Sequence, residues 1–158
     1  MRVQEMRLAL ASVVLLLLAA APRAGAEMRP YWNAQWGAPE SVSAGLGLAI
    51  GRLKGDSFRI NSRAFLIEAR PGLDGGALHL GYLPASGSTQ GFHFAGVALK
   101  GTLLRTWGQP SSLPPRQTYA GAELHAAWVV KASIGVLWRV SGNLGPASTL
   151  TWSLGIGL

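Results

Sequence analysis

After residue 40, large apolar residues alternate with small ones at a period of two. The clearest run is the last, where Leu150, Trp152, Leu154, Ile156 and Leu158 are separated by Thr151, Ser153, Gly155 and Gly157. Val42, Ala44, Leu46, Leu48 and Ile50 stand in the same way against Ser43, Gly45, Gly47 and Ala49. Two further runs set Ala120, Ala122, Leu124, Ala126 and Trp128 against Gly121, Glu123, His125 and Ala127, and Ala132, Ile134, Val136, Trp138 and Val140 against Ser133, Gly135, Leu137 and Arg139. Side chains two apart on a strand share a face, so each run predicts a strand with one greasy face and one face of small or polar groups.

The alternation predicts seven strands, over 41–53, 57–71, 76–84, 91–107, 117–129, 131–141 and 148–158, with Gly72 to Gly76 as a hairpin connection. Leu104 breaks the phase of its run, and 57–62 are out of step with Arg63 onward, so a bulge or loop extension is expected at each place. After Glu27 no stretch has a helical period or stays apolar for 18 residues, which excludes a helical membrane protein.

The first 26 residues read differently. Arg2 and Arg7 precede an apolar run from Leu8 to Ala21, and Ala24-Gly25-Ala26 has the small-x-small form of a cleavage site. This predicts a secretory signal peptide over 1–26 and a mature domain over 27–158; the 14-residue apolar run is too short for a transmembrane anchor. Of the chain's 14 basic and 7 acidic groups, the leader holds Arg2, Arg7, Arg23 and Glu5, leaving 11 and 6 on the mature part. An exported chain does not meet cytoplasmic nucleic acid, so the formal charge of +7 is not read as a nucleic-acid signal. The absence of cysteine removes disulfides and thiolate metal sites, and His79, His93 and His125 lack the usual ligand spacing, so no metal or cofactor is expected.

Charged residues make up only 13% of the chain, about half the usual share of roughly 25% for soluble domains. A soluble barrel would turn its large apolar side chains inward and show charge to water. Here the second face is Gly, Ser, Thr and Ala with an occasional charge, which suits a narrow lumen, while the Leu, Ile, Val and Trp face suits lipid.

In these features the chain resembles small bacterial outer-membrane β-barrels of the OmpA/OmpX type, over the leader and most of 40–158. Trp152, Leu154, Ile156 and Leu158 look like the C-terminal signal read by the barrel-assembly machinery, with Leu158 where the family usually ends in an aromatic. The resemblance implies an all-β, eight-stranded, antiparallel up-and-down transmembrane β-barrel. It also implies an even strand number, which makes the aromatic segment 31–36 the eighth strand. Both termini then face the periplasm, and the connections 108–116 and 141–147 face outward. Implied partners are outer-membrane lipid, lipopolysaccharide and the assembly machinery, with the chain a monomer.

An eight-stranded barrel is filled by its own side chains, so a diffusion pore is not expected. Its inward charges are predicted to be Glu68, Arg70, His79, Lys100, Glu123, His125, Lys131 and Arg139, with Glu68 and Glu123 each against an Arg or Lys. The aromatics Trp32, Trp36, Trp107, Trp128, Trp138, Trp152, Tyr31, Tyr82 and Tyr119 are expected in interfacial girdles. Arg52, Lys54, Arg105 and Arg116 are expected at the rims, facing headgroup phosphates. These readings favour a non-enzymatic, membrane-structural or loop-presenting protein. Two alternatives stand beside it: a lipid A-modifying hydrolase or acyltransferase drawing on Glu123 and His125, and a soluble periplasmic lipid-binding barrel with Leu46, Leu48, Trp138 and Leu154 turned inward.

Overall fold

The computed structural model describes residues 27–52, 63–89, 93–108, 113–128 and 130–157. Eight antiparallel strands follow one another round a closed barrel: β1 (Glu27–Ala38), β2 (Ser41–Arg52), β3 (Arg63–Pro71), β4 (Gly75–Thr89), β5 (His93–Thr106), β6 (Thr118–Ala127), β7 (Lys131–Ser141) and β8 (Ser148–Gly157). Each strand pairs with its sequence neighbours, and β1 closes the barrel on β8 from Asn33↔Gly157 to Ala38↔Trp152. Closure removes the sheet edges that an open meander would leave unpaired.

The eighth strand is present and twelve residues long, twice the 31–36 expected, because Glu27 to Tyr31 continue the ladder with Gly51 to Gly47. Nothing in Glu27-Met28-Arg29-Pro30 alternates, so pairing with β2 creates a strand that periodicity does not announce. Leu104 carries no bulge. It pairs in register with Ala77 and Tyr119 and is buried, so Leu104 is an inward residue like Thr102 and Thr106, and its size marks a cap in the lumen. The irregularities lie instead between Tyr82 and Ala85 and between Thr118 and Tyr119. The expected phase break at 57–62, the leader 1–26 and Leu158 lie outside the described residues.

The faces are sorted as the alternation requires. Among the described residues 26 large hydrophobic side chains are exposed, Leu46 at 73%, against nine buried hydrophobic residues, three of which are alanines. That inverts the arrangement of a water-soluble domain. Leu46, Leu48, Trp138 and Leu154 all point out, the reverse of the lipid-binding-barrel alternative.

The lumen is filled in three zones. Ala77, Leu104, Leu113, Tyr119 and Leu137 form an apolar cap at the end bearing the β1–β2, β3–β4, β5–β6 and β7–β8 connections, here the loop end. Ala64, Leu66, Leu83 and Ala98, with Tyr31 and Ala49 against them, form a second apolar cluster toward the opposite end. Charged and polar side chains occupy the zone between. Tyr119 is wholly buried in the cap, its hydroxyl directed to Pro146 O at 3.4 Å, and Tyr31 turns inward, so neither belongs to an outer girdle. Both have the parity of the small-residue face, which overrides the aromatic preference for an interface.

Candidate functional site

Strand parity brings six of the eight predicted inward charges into one buried zone. Glu68 and Arg70 come from β3, His79 from β4, Lys100 from β5, and Glu123 and His125 from β6. Their neighbours across the ladders are close in register, Glu68 with His79 and Lys100 with Glu123. The small side chains of β2 and β8 leave room for these long groups to cross the lumen.

Glu68 accepts from Lys100 Nζ, from Tyr31 Oη at 2.9 Å and from Asn33 Nδ2 at 3.0 Å, and is 1% exposed. A carboxylate this deep is tolerated because its lone pairs are occupied and a cation faces it. The Tyr31 ring lies against Gly47, where an added Cβ would come within 2.4 Å of Cζ, so glycine at 47 makes room for the donor that completes the Glu68 site.

Arg70 holds a second centre. Its Nη2 and Nε donate to Glu40 Oε2 and Oε1 at 2.7 and 3.2 Å, and Nη2 lies 3.6 Å from Glu123 Oε2. With the Gln35 amide turned so that its oxygen faces Arg70, the assignment its neighbours require, that oxygen accepts from Arg70 Nε at 2.8 Å and Nη1 at 2.5 Å, and its nitrogen donates to Ser153 Oγ, which lies 2.6 Å from Ser133 Oγ. Glu40 sits in the β1–β2 turn, where burial pushes its carboxyl above the usual range and Arg70 beside it acts in the opposite sense.

Glu123 Oε2 also lies 3.0 Å from His125 Nε2 and 3.9 Å from His79 Nδ1, and His79 Nδ1 lies 2.9 Å from Thr102 Oγ1. The two imidazoles meet edge to face with centroids 5.8 Å apart.

The two remaining predicted lumen charges stand apart from ion pairs. Lys131 Nζ lies over the Tyr31 ring, 5.7 Å from its centroid. Arg139 donates through Nη1 to Leu144 O and Gly145 O at 2.7 and 2.6 Å, tying the β7–β8 connection to its strand. Tyr31, Asn33, Gln35, Glu40, Thr102, Ser133 and Ser153 join the network without being among the predicted site residues. Glu40 lies in a turn, where alternation says nothing, and Asn33, Gln35 and Tyr31 lie on the strand whose length periodicity hid.

Hydroxyl, imidazole and carboxylate do meet at Thr102, His79 and Glu123, but both partners face the same ring nitrogen. A relay needs one on each nitrogen, and His79 Nε2 has no partner among the described residues. His79, Glu123 and His125 also offer ligand atoms within 4.8 Å of one another, close enough to share a metal ion. Electrostatics oppose a divalent ion there. The guanidinium of Arg70 is 3.6 Å from the same Glu123 oxygen. Counting the imidazoles as uncharged, Glu40, Glu68 and Glu123 already balance Arg70, Lys100 and Lys131. Two further charges in a closed, poorly polarisable lumen would stand uncompensated. What the arrangement can do is lock β1, β3, β4, β5 and β6 together through their side chains, with the β1–β2 turn held by Glu40.

Trp152, Leu154 and Ile156, the described residues of the expected assembly signal, lie on β8, pointing outward. Trp152 meets Trp36 of β1 edge to face at 4.9 Å across the closing seam.

Comparison with known proteins adds no relative: no family model matches the chain, and neither a curated protein nor a solved structure matches it.

Proposed function

We propose that this protein is a non-enzymatic β-barrel of the bacterial outer membrane, of the OmpA/OmpX kind, which spans the bilayer as a filled cylinder and stabilises it or presents its loops. The observation that carries this reading is the outward apolar band bounded by aromatics. Trp36, Trp107, Trp138 and Trp152 stand near the loop end, and Phe65, Tyr82 and Trp128 toward the other. Between them the outward residues of β6 are Ala120, Ala122, Leu124 and Ala126, and those of β7 are Ala132, Ile134 and Val136. From Thr118 to Trp128, at about 3.3 Å per residue and a tilt of about 40°, the chain climbs about 25 Å, the height of the apolar band of such barrels. Lipid is the solvent that such a surface requires, since water would leave an apolar area far beyond the few hundred Å² that monomers tolerate. The leader expected over 1–26 and the signal-like pattern of Trp152, Leu154 and Ile156 agree with export and assembly there.

The test is insertion. The chain refolded into neutral phosphatidylcholine vesicles is expected to resist protease and to migrate faster unheated than boiled on a gel, and in cells to fractionate with the outer membrane. Recovery as a soluble periplasmic protein overturns the reading. For the enzymatic alternative, mass spectra of lipid A from cells with and without the protein decide, and the non-enzymatic reading requires them to be identical.

A further inference from the structure

The two ends of the barrel differ in charge. At the loop end both acids are withdrawn: Glu40 is buried on Arg70, and the Asp74 carboxylate is bonded by Ser41 Oγ. The other charges of this end are Arg105, Arg116 and Arg139, and residues 109–112 add only Gln, Pro, Ser and Ser. Arg139 is turned onto the carbonyls of its own loop. Arg105 and Arg116 remain, both exposed, with no exposed carboxylate among the described residues of that end.

Their placement is specific. Arg105 follows Leu99 and Leu103 on the outward face of β5, so its guanidinium leaves from the edge of the apolar band. It is braced there by Nη1 donating to Thr118 Oγ1 at 2.7 Å. Arg116 precedes Thr118 by two residues, its backbone N–H bonded to Thr106 O at 2.8 Å, which brings it beside the β5 terminus. It holds φ +63°, a conformation that side-chain-bearing residues disfavour. Trp107, two residues after Arg105, lays its indole over Gly76, where an added Cβ would come within 2.3 Å of Cη2. Its backbone N–H is held by Asp74 O at 3.1 Å. Indoles settle at headgroup depth, so on the membrane-spanning reading the backbone that carries Arg105 and Arg116 lies at the level of lipid phosphates.

Resting on the membrane-spanning reading, we propose that Arg105 and Arg116, with Thr118 and Trp107, form a binding site for the phosphomonoester of an outer-leaflet glycolipid of the lipid A type. A phosphomonoester carries nearly two charges, which two guanidinium forks can match without an opposing carboxylate, and guanidinium geometry suits phosphate oxygens. The loop end, remote from both termini, faces that leaflet in the expected topology.

The full chain in neutral detergent micelles is titrated with bisphosphorylated lipid A and with the same lipid dephosphorylated, and bound lipid is read by native mass spectrometry. The wild type is expected to prefer the phosphorylated form by about tenfold, less as salt rises. Arg105→Gln with Arg116→Gly is expected to abolish the preference, and Arg63→Gln, exposed at the opposite end, to keep it. Arg116→Gly alone is expected to weaken binding while leaving thermal stability equal or higher, since glycine accepts the left-handed φ. Equal binding of both lipids, a preference that survives in the double variant, displacement by inorganic phosphate alone, or equal retention of phosphatidylglycerol each overturns the site. Insertion into phosphatidylcholine vesicles, measured in parallel, separates the two readings. Insertion without phosphate preference removes the site alone, and failure to insert removes the membrane reading and the site with it.

Discussion

Arg70, near the end of β3, and Glu40, in the turn between β1 and β2, face each other through two parallel hydrogen bonds inside the mouth of the barrel. The pair reaches past β2 and ties the first turn to the third strand. Because Arg70 also lies near Glu123 on β6, it links opposite walls of the lumen. Glu40→Gln is expected to lower stability by about 3 kcal/mol, since it leaves a buried guanidinium short of its closest counter-charge. Urea unfolding in vesicles, followed by tryptophan fluorescence, measures this, and a loss below about 1 kcal/mol would mean that Glu123 and Gln35 suffice for Arg70.

Removing the charge of Glu68 leaves Lys100 without its acid, and Tyr31 and Asn33 with a weaker acceptor. Glu68→Gln is expected to cost about 3 kcal/mol in the same assay. Glu27→Gln breaks an ion pair too, with Arg29, but an exposed one, and is expected to stay within about 0.5 kcal/mol of the wild type. Equal effects of the two substitutions would contradict a stabilising lumen network.

Gly47 and Tyr31 are coupled by contact. Gly47→Ala drives a methyl group into the Tyr31 ring and is expected to destabilise by about 1–3 kcal/mol, with loss of the hydroxyl contact to Glu68. In a Tyr31→Leu background the same alanine is expected to be nearly neutral. A double-mutant cycle reads the difference, and additivity would show that the ring does not lean on residue 47.

The outward face gives a prediction that separates lipid from water. Leu124 lies midway along β6, exposed, between the two aromatic zones. Leu124→Arg is expected to lower stability in phosphatidylcholine vesicles by about 2–4 kcal/mol, because a cation near the bilayer midplane loses its hydration. Arg105, near the end of β5, marks where charge is tolerated on that face. An effect within about 0.5 kcal/mol would place Leu124 outside hydrocarbon.

Much of the barrel was legible as alternation. Period two has a single physical meaning on a strand, so runs such as Leu150 to Ile156 named both their conformation and the face they expose. The same parity put Glu68, Arg70, His79, Lys100, Glu123 and His125 on the inner side. Alternation is blind where no side-chain contrast exists. Glu27 to Pro30 became strand only by pairing with β2, and Glu40 became a lumen acid only because its turn folds over the mouth.

Parity also assigns a side without assigning a partner. Arg139 and Lys131 share the inner parity of Glu123, yet one closes a loop and the other lies over an aromatic ring. Which charge meets which depends on stagger and on side-chain reach across the lumen, and those exist only once the barrel closes. Chain chemistry alone settled which face of most runs turns in and which turns out, because that follows from local geometry, while Tyr31, Leu104 and Tyr119 took their inward places against that reading. Closure decided the pairs, the two apolar caps and the basic edge at the loop end, because each joins residues that only non-local strand pairing brings together.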